Sequence, residues 1–301
     1  MFKRKILMKI KILFLLFPII IFAQKQKIQI LDIETKEPLQ FVELLYNNKT
    51  IFSDKNGTIF IDFNENKIEI LDGNYEPNVV EISTNTNIIE LQNTVTELQE
   101  MVISKKPRTI INPQSKGLWD HTYIGMDMVL LNEITFNKEY QSKYLRKVTF
   151  KSYRSIPANF DTSVKNKDFK KSRKKQMNAT KLLRLNVFNE NKEIIYNSTP
   201  IEYKSNEKQS FEIDVLEDIL ITDKPLYIEI QVIGYLDETG EFANYYSAIR
   251  PQQAKNAPKE YKVNLLYKKR TEKHPFYVDL LKQPNRQKFY INFGFEFEDV
   301  D

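Results

Sequence analysis

Two pairs of carboxylates are the residues that could do acid–base chemistry in this sequence. They are Glu217 with Asp218, and Glu296 with Glu298. Two carboxyl groups can hydrolyse a glycoside when one protonates the leaving group and the other activates water or attacks the sugar. Glu296 and Glu298 would share one face of a strand. That face, close to the end of the sequence, is expected to meet solvent, so we expect no enzyme.

Other kinds of catalytic or cofactor site are disfavoured by the residue types that the sequence lacks. It has no cysteine, and its two histidines, His121 and His274, lack a metal-binding spacing such as HExxH. There is no GxSxG turn for a serine nucleophile, and the seven glycines form no phosphate-binding loop. We therefore expect no catalytic residue, no metal and no cofactor.

A dense basic run, residues 165–175, is the strongest charge feature. It contains seven basic residues and one acid. It could bind an anionic partner such as lipopolysaccharide or an anionic glycan. The commoner alternative is a solvated loop, since like charges at this density repel one another. The basic residues are Lys165, Lys167, Lys170, Lys171, Arg173, Lys174 and Lys175.

Aromatic residues are abundant, with 20 Phe, 16 Tyr and one Trp. Trp119, Tyr235, Tyr245 and Tyr246 lie near predicted loops, where an exposed ring could stack on a sugar. This keeps a glycan-binding or carbohydrate-active protein as the alternative function. Packing within strands is the commoner role, because aromatic side chains fit pleated sheets.

The first 23 residues have the pattern of an export signal. Five basic residues precede an apolar run of 11 residues, 12–22, and Ala23-Gln24 follows. Signal peptides have this order of segments, whereas a bilayer-spanning helix needs about 20 apolar residues. We predict cleavage after Ala23 and export to the periplasm or cell surface, without a membrane-spanning segment in the mature chain.

The remaining chain has balanced charge, with 40 basic and 40 acidic residues. A nucleic-acid binder normally keeps a basic excess to neutralise phosphates, so nucleic acid is not an expected partner. The charges divide unevenly, because residues 24–104 carry a net −8 and residues 105–301 a net +8. With the chain length, this predicts two domains that dock on each other or meet different partners.

Residues 24–104 predict a small β-sandwich, because short alternating runs are separated by Asn, Asp, Gly and Pro. The sequence Asp54-Lys55-Asn56-Gly57 predicts a tight turn. Asp can accept hydrogen bonds from the backbone ahead of it, and Gly allows a positive φ. We expect this turn to join residues 50–53 and 58–63 as a hairpin.

Four segments in this domain occur in a recognisable order. They are Pro38-Leu39, SDKNGTIF at residues 53–60, GNYE at 73–76 and LQEMVI at 98–103. Together they resemble the EPL, TDxxGxF, GYE and LDEVVV motifs of the carboxypeptidase regulatory-like domain, with Asp54 and Gly57 in the second motif. The sequence departs from the family pattern at Gln40-Phe41 and by the inserted Asn74. The resemblance implies a transthyretin-like sandwich of the type common in exported Bacteroidetes proteins.

The rest of the chain predicts a linker and a second domain. Residues 105–120, with two prolines and a glycine, are predicted as the linker. From residue 121 to 301, strand-like runs without a convincing helix predict a jelly-roll-like β-sandwich. These runs are residues 128–136, 147–153, 182–188, 193–196, 210–216, 225–236, 261–267 and 288–297. Parts of them resemble the C-terminal β-domain of some exported flavobacterial proteins, which implies no catalytic activity.

The sequence therefore predicts an exported, two-domain, all-β protein that acts as a non-catalytic binding or assembly module of the cell envelope. An envelope protein or an anionic glycan is the expected partner. The regulatory-like resemblance also suggests an accessory component near an outer-membrane receptor.

Overall fold

A computed structural model describes most of the chain after residue 24. The described residues are 25–62, 65–76, 78–94, 107–115, 124–125, 128–153, 180–204, 209–236, 240, 242–243, 248–254, 256–270, 278–279 and 290–300. In these ranges the chain is all-β, with one 3-10 turn at Lys138–Tyr140. The prediction of an all-β sandwich protein is confirmed. No helix in these ranges is long and apolar enough to cross a bilayer.

The chain divides into two compact units, Met1–Val95 and Thr96–Asp301. The described part of the first unit contains seven strands in two sheets, of order β4-β1-β7 and β3-β2-β5-β6. β1 pairs antiparallel with β4 and parallel with β7. The strands are β1 (Gln26–Asp32), β2 (Glu43–Tyr46), β3 (Lys49–Phe52), β4 (Thr58–Ile61), β5 (Lys67–Ile70), β6 (Val79–Glu81) and β7 (Ile88–Leu91).

Alternation along the strands builds the core of the first unit. Ile28 and Ile30 of β1 are fully buried, whereas Gln29 between them is partly exposed. Apolar side chains from both sheets meet in one cluster. The opposite face of the three-stranded sheet leaves Phe60 and Ile88 exposed by 58% and 52%. The unit is therefore a two-sheet sandwich with an apolar side on one outer face.

The predicted hairpin across Asp54–Gly57 is wrong. The turn does form, but β3 pairs with β2 while β4 pairs with β1, so the turn carries the chain from one sheet to the other. The hairpin turn lies instead at Asn47 and Asn48, whose φ angles are 50° and 53°. Two positive φ angles give a turn whose twist matches paired strands, and Asn tolerates them.

The described part of the second unit contains sixteen strands. They are β8 (Arg108–Ile111), β9 (Ile124–Gly125), β10 (Met128–Phe136), β11 (Lys143–Tyr153), β12 (Thr180–Phe188), β13 (Ile194–Asn197), β14 (Ile201–Lys204), β15 (Gln209–Leu220), β16 (Leu226–Leu236), β17 (Phe242–Ala243), β18 (Ala248–Pro251), β19 (Gln253–Ala254), β20 (Tyr261–Lys269), β21 (Val278–Asp279), β22 (Tyr290–Ile291) and β23 (Gly294–Asp299). Each of the eight runs that the sequence predicts as strands in this domain contains at least part of an observed strand.

Two large sheets of the second unit share one core. The eight-stranded sheet has order β13-β12-β16-β10-β20-β21, with β14 beside β12 and β17 beside β16. The six-stranded sheet has order β8-β23-β11-β18-β9, with β15 beside β11, and β19 pairs with β22. Phe136 of the first sheet lies edge-on to Phe295 and Phe297 of the second, with ring centroids 5.0 and 5.2 Å away. Edge-to-face rings at this spacing stabilise the sandwich beyond simple burial.

Part of the predicted linker belongs to the second unit. Residues 108–111 form β8, which pairs antiparallel with β23. Ile111 is buried in the main core. A strand of the second unit therefore lies within the predicted linker, since a four-residue strand after Pro107 is too short to show a period.

Candidate functional site

Several residues proposed from the sequence lie outside the described part of the chain. They are the export signal, residues 1–23, the exit motif, residues 98–103, the seven basic residues Lys165, Lys167, Lys170, Lys171, Arg173, Lys174 and Lys175, the aromatic residues Trp119, Tyr245 and Tyr246, and both histidines, His121 and His274. The roles suggested for them stay predictions.

The turn residues Asp54 and Gly57 fix the backbone between β3 and β4. Asp54 Oδ1 accepts hydrogen bonds from the backbone N–H of Asn56 and of Thr58, each 2.8 Å long. Gly57 has φ +67°, and a Cβ there would lie 2.6 Å from the carbonyl oxygen of Ile30 and 2.9 Å from the backbone nitrogen of Leu39. The carboxylate and the glycine therefore hold the crossing between the two sheets, which is a structural role.

The carboxylates Glu296 and Glu298 share the outer face of β23, as predicted, but both are engaged by cations. Glu296 pairs with Arg108, and Lys147 Nζ lies 4.0 Å from its carboxylate. Glu298 lies 3.4 Å from Arg146. Their side chains are 13% and 12% exposed, so the face is partly shielded. Both carboxylates of this pair therefore take part in ion pairs that join β23 to its neighbouring strands.

An irregularity in β15 creates a cleft at one end of the second unit. Leu145 of β11 pairs with Ile219, and Lys147 pairs with Asp214, so β11 advances by two residues while β15 advances by five. The extra residues bulge outward, and residues 216–218 are exposed. Bulges re-aim side chains and are common next to binding sites.

Arg146 fixes the bulge. Its Nη1 lies 2.7 Å from Asp218 Oδ1, while its Nη2 lies 3.4 Å from Glu298 Oε1. The guanidinium group thus ties the bulged part of β15 to β23 on the far side of β11. It also lies 5.0 Å from the ring centroid of Tyr144, in cation–π geometry. Arg146 thereby contacts Asp218, which lines the cleft.

The cleft has a volume of about 290 Å³ and a mixed lining. Its floor is made by buried apolar side chains such as Phe136 and Ile219. Two aliphatic side chains in its wall are exposed, Ile195 by 37% and Leu220 by 46%. The lining residues are Phe136, Asn189, Glu190, Ile195, Glu217, Asp218, Ile219, Leu220, Ile221, Thr222, Lys224, Pro225 and Leu226.

The carboxylates of the cleft differ in their surroundings. Lys224 Nζ lies 2.6 Å from Glu190 Oε1, and this hydrogen bond lowers the pKa of Glu190. Asp218 is paired with Arg146. Glu217 has no cationic partner among the described residues, and partial burial raises the pKa of its carboxyl group. The cleft therefore contains one carboxylate whose charge is not offset by any described cation.

A second polar cluster lies on the other sheet and is closed. β16 is buried along its whole length. Asn186 Nδ2 donates to Glu229 Oε2 over 2.8 Å and to Gln231 Oε1 over 3.1 Å. Glu229 also pairs with Arg270, and their side chains are 2% and 8% exposed. The five residues Arg184, Asn186, Glu229, Gln231 and Arg270 are here called the buried polar row. The first four are buried on the adjacent strands β12 and β16, and Arg270 follows β20.

Ile195 and Leu220 in the cleft, and Arg146, which contacts the cleft residue Asp218, were not predicted from the sequence. The available signal was the break in alternation at residues 216–218, which follows three regular apolar positions in β15. Tyr235, proposed as a possible exposed ring, is only 7% exposed in β16. In the described ranges no group of three or more metal-ligating side chains occurs.

Comparison with known proteins assigns no family. No family model matches the sequence, and no curated protein matches it. Among solved structures, the clostridial cysteine protease Cwp84, in a variant form after propeptide cleavage, is similar with a TM-score of 0.33 and 10% sequence identity. The match covers 93% of this chain and 71% of that chain. A similarity of this level carries no argument about fold or function.

Proposed function

We propose that this protein is an exported, non-catalytic binding or assembly module of the cell envelope, and that the cleft of the second unit is its binding surface. The observation that supports this proposal is an open cleft lined by the exposed side chains of Ile195 and Leu220 and by Glu217, whose carboxylate is not paired with any described cation. Export is supported by the signal-like start of the sequence, and the envelope by the regulatory-like motifs.

The ion pairs favour binding over acid–base catalysis. Glycoside hydrolysis needs one carboxyl group that donates a proton to the leaving group and a second that activates water or attacks the sugar. Glu296 and Glu298 are both held by cations, and Asp218 is held by Arg146. Only Glu217 of the four carboxylates first considered keeps an uncompensated charge among the described residues, and a single carboxylate does not make an acid–base pair.

The lining of the cleft favours a protein partner over a glycan. Sugar faces stack on exposed aromatic rings, and the ring among the lining residues, Phe136, is 3% exposed. Exposed aliphatic side chains beside a charged group are typical of a protein-binding surface instead. The cleft therefore favours an envelope protein as the ligand.

A pulldown with the chain from residue 24 to 301, from detergent-solubilised envelope, tests this proposal. We expect a specific protein partner that is lost with Leu220→Asp in the cleft wall. Ile110→Asp is the matched control, because Ile110 is 58% exposed on β8 and does not line the cleft. A parallel glycan array with a specific hit, and no partner that responds to Leu220→Asp, would contradict the proposal.

A further inference from the structure

We propose that the cleft recognises a segment of a partner protein through one lysine or arginine side chain. Its aliphatic stem packs on Ile195 and Leu220, and its cationic head pairs with Glu217. The inference rests on the proposed function and names the chemistry of the partner.

The size of the cleft fits one anchoring side chain. Sites for drug-sized molecules enclose about 300–1,000 Å³ and bury most of the ligand. The cleft encloses about 290 Å³ and is open to solvent along the exposed residues of β15. A space of this size suits an anchor side chain of a larger partner, since such anchors dominate protein–protein affinity when they fill a pocket.

The charge distribution selects a cation. Glu190 is paired with Lys224, and Asp218 contacts Arg146, which also contacts Glu298. Glu217 is left as the charge that a ligand can neutralise, and partial burial of this carboxylate raises its pKa. An anionic or neutral anchor would leave the Glu217 carboxylate without a counter-charge. A cationic anchor offsets the free-energy cost of partly burying this carboxylate by forming a charge-assisted hydrogen bond with it.

The exposed aliphatic residues select a long cationic side chain. Lysine and arginine cover apolar surface with their methylene stems while the charged head reaches a polar group. Ile195 and Leu220 are 37% and 46% exposed and line the same cleft as the carboxylate of Glu217. A small inorganic cation would leave this apolar surface uncovered.

The surface outside the cleft favours a protein segment over a free amine. Leu216 precedes Glu217 on β15, does not line the cleft and is 55% exposed. A chain that places its basic side chain in the cleft can cover Leu216 with a neighbouring apolar residue. A free polyamine has no such residue, so the structure favours a segment in which an aliphatic residue flanks the basic one.

The test is a titration of the full mature chain with a fluorescein-labelled hexapeptide, Ser-Leu-Arg-Leu-Ser-Gly, followed by fluorescence anisotropy. We expect Glu217→Gln to weaken binding roughly tenfold, which is the size of a partly shielded ion pair. Glu212→Gln is the matched control, because it removes the same charge from the same strand, where Glu212 is 65% exposed and lies 3.5 Å from Lys147. Equal losses for the two variants would mean diffuse attraction and would overturn the proposal.

Changes to the peptide and to the cleft wall test the remaining contacts. Replacing the arginine by citrulline, which keeps the shape and removes the charge, should weaken wild-type binding roughly tenfold and leave Glu217→Gln almost unaffected. Leu220→Ser should weaken binding several-fold, whereas Ile110→Ser should not. Spermidine should compete only weakly with the peptide. If it bound as tightly as the peptide and lost the same affinity with Glu217→Gln, the site would be a site for free amines, and the proposal of a protein segment would be overturned.

A final comparison separates this inference from the proposed function. An envelope partner that is lost with Leu220→Asp but recovered equally by wild type and Glu217→Gln would keep the binding function and overturn the basic anchor. Melting temperatures of all variants, measured by circular dichroism, should lie within a few degrees of wild type, because each altered side chain is at least partly exposed.

Discussion

The two units use their acidic side chains differently. In the first unit, Asp32 and Asp54 accept hydrogen bonds from backbone N–H groups two to four residues ahead of them. In the second unit, Glu229 and Glu296 contact side chains that lie 41 and 188 positions away in the sequence. Asp32 and Asp54 therefore shape turns, whereas Glu229 and Glu296 join segments that are distant in sequence. The same substitution should then have a local effect in one unit and a global effect in the other.

The two outer faces of the second unit extend this contrast. On the six-stranded sheet, Lys147 lies 3.5 Å from both Glu212 and Asp214, whose side chains are 65% and 73% exposed. On the eight-stranded sheet, the buried polar row is closed from solvent. Exposed ion pairs contribute little to stability because water screens them, but breaking a buried pair leaves a charge without compensation. Burial, more than the number of ion pairs, decides their importance.

The largest expected effect is from Glu229→Ala in the buried polar row. The substitution leaves the guanidinium group of Arg270 and the amide of Asn186 without their shared acceptor, which should reduce the free energy of unfolding by about 3–5 kcal/mol. Urea denaturation followed by circular dichroism measures this loss. Glu212→Ala, on the exposed face, should cost less than about 1 kcal/mol. Similar losses for both variants would contradict the contrast between the two faces.

Gly57→Ala should give the next largest effect, confined to the first unit. The residue would adopt a positive φ and place a Cβ 2.6 Å from the carbonyl oxygen of Ile30. Left-handed backbone costs about 1–2 kcal/mol, and overpacking adds about 1–3 kcal/mol. Asn48→Ala should have only the cost of the left-handed backbone, since Asn48 has a φ of 53° in a hairpin turn and the substitution adds no Cβ. Equal losses of stability, measured by urea denaturation, would show that the close approach to Ile30 is unimportant.

A smaller effect should follow from the turn carboxylate of Asp32. Backbone hydrogen bonds from Thr35 and Glu34 lower the pKa of Asp32 in the folded chain. Its stabilising contribution is therefore fully present above the unfolded pKa and is lost as the pH falls through the folded pKa. Asp32→Asn keeps an acceptor but removes the charge, so the stability difference between the two chains should shrink on acidification. Urea denaturation midpoints of both chains, measured between about pH 6 and pH 2, give this stability difference. A difference that stays constant with pH would contradict the prediction.

The smallest effect is expected at Phe60 on the outer face of the first unit. Phe60 is 58% exposed, whereas its neighbour Ile59 is 3% exposed on the opposite face of β4. Phe60→Ser should change the free energy of unfolding by about 0.5 kcal/mol or less, and Ile59→Ala should reduce it by about 2–5 kcal/mol. Thermal melting of both variants checks the assignment of faces, and a larger loss for Phe60→Ser would mean that its face is covered.

Short apolar or alternating runs were sufficient to predict most strands, because a strand that faces a core on one side alternates and a strand buried on both sides is apolar throughout. Phe211, Ile213 and Val215 predicted the inner face of β15, and all three are buried. Pairing partners were not predictable in the same way. The turn after β3 has a hairpin-like sequence, yet the two strands beside it belong to different sheets, because each finds its partner elsewhere in the chain.

The cleft depends on register and could not be read from one strand alone. The bulge in β15 appears only when its pairs with β11 are compared, and Arg146 then connects Asp218 to Glu298 across that strand. The carboxylate residues themselves were visible in the sequence. Which of them keep an uncompensated charge follows from cations that lie on other strands, so the role of Glu217 required the structure.

The pairing of β8 with β23 also bears on how the protein is made. Arg108 and Glu296 lie 188 positions apart, so nearly the whole second unit must leave the ribosome before this contact can form. Contacts of such separation slow folding, because the loop must close before the contact can stabilise it. Until β23 arrives, β8 and β11 keep unpaired edges that can join strands of other chains. Synthesis that stops shortly before residue 294 should therefore give an aggregation-prone product.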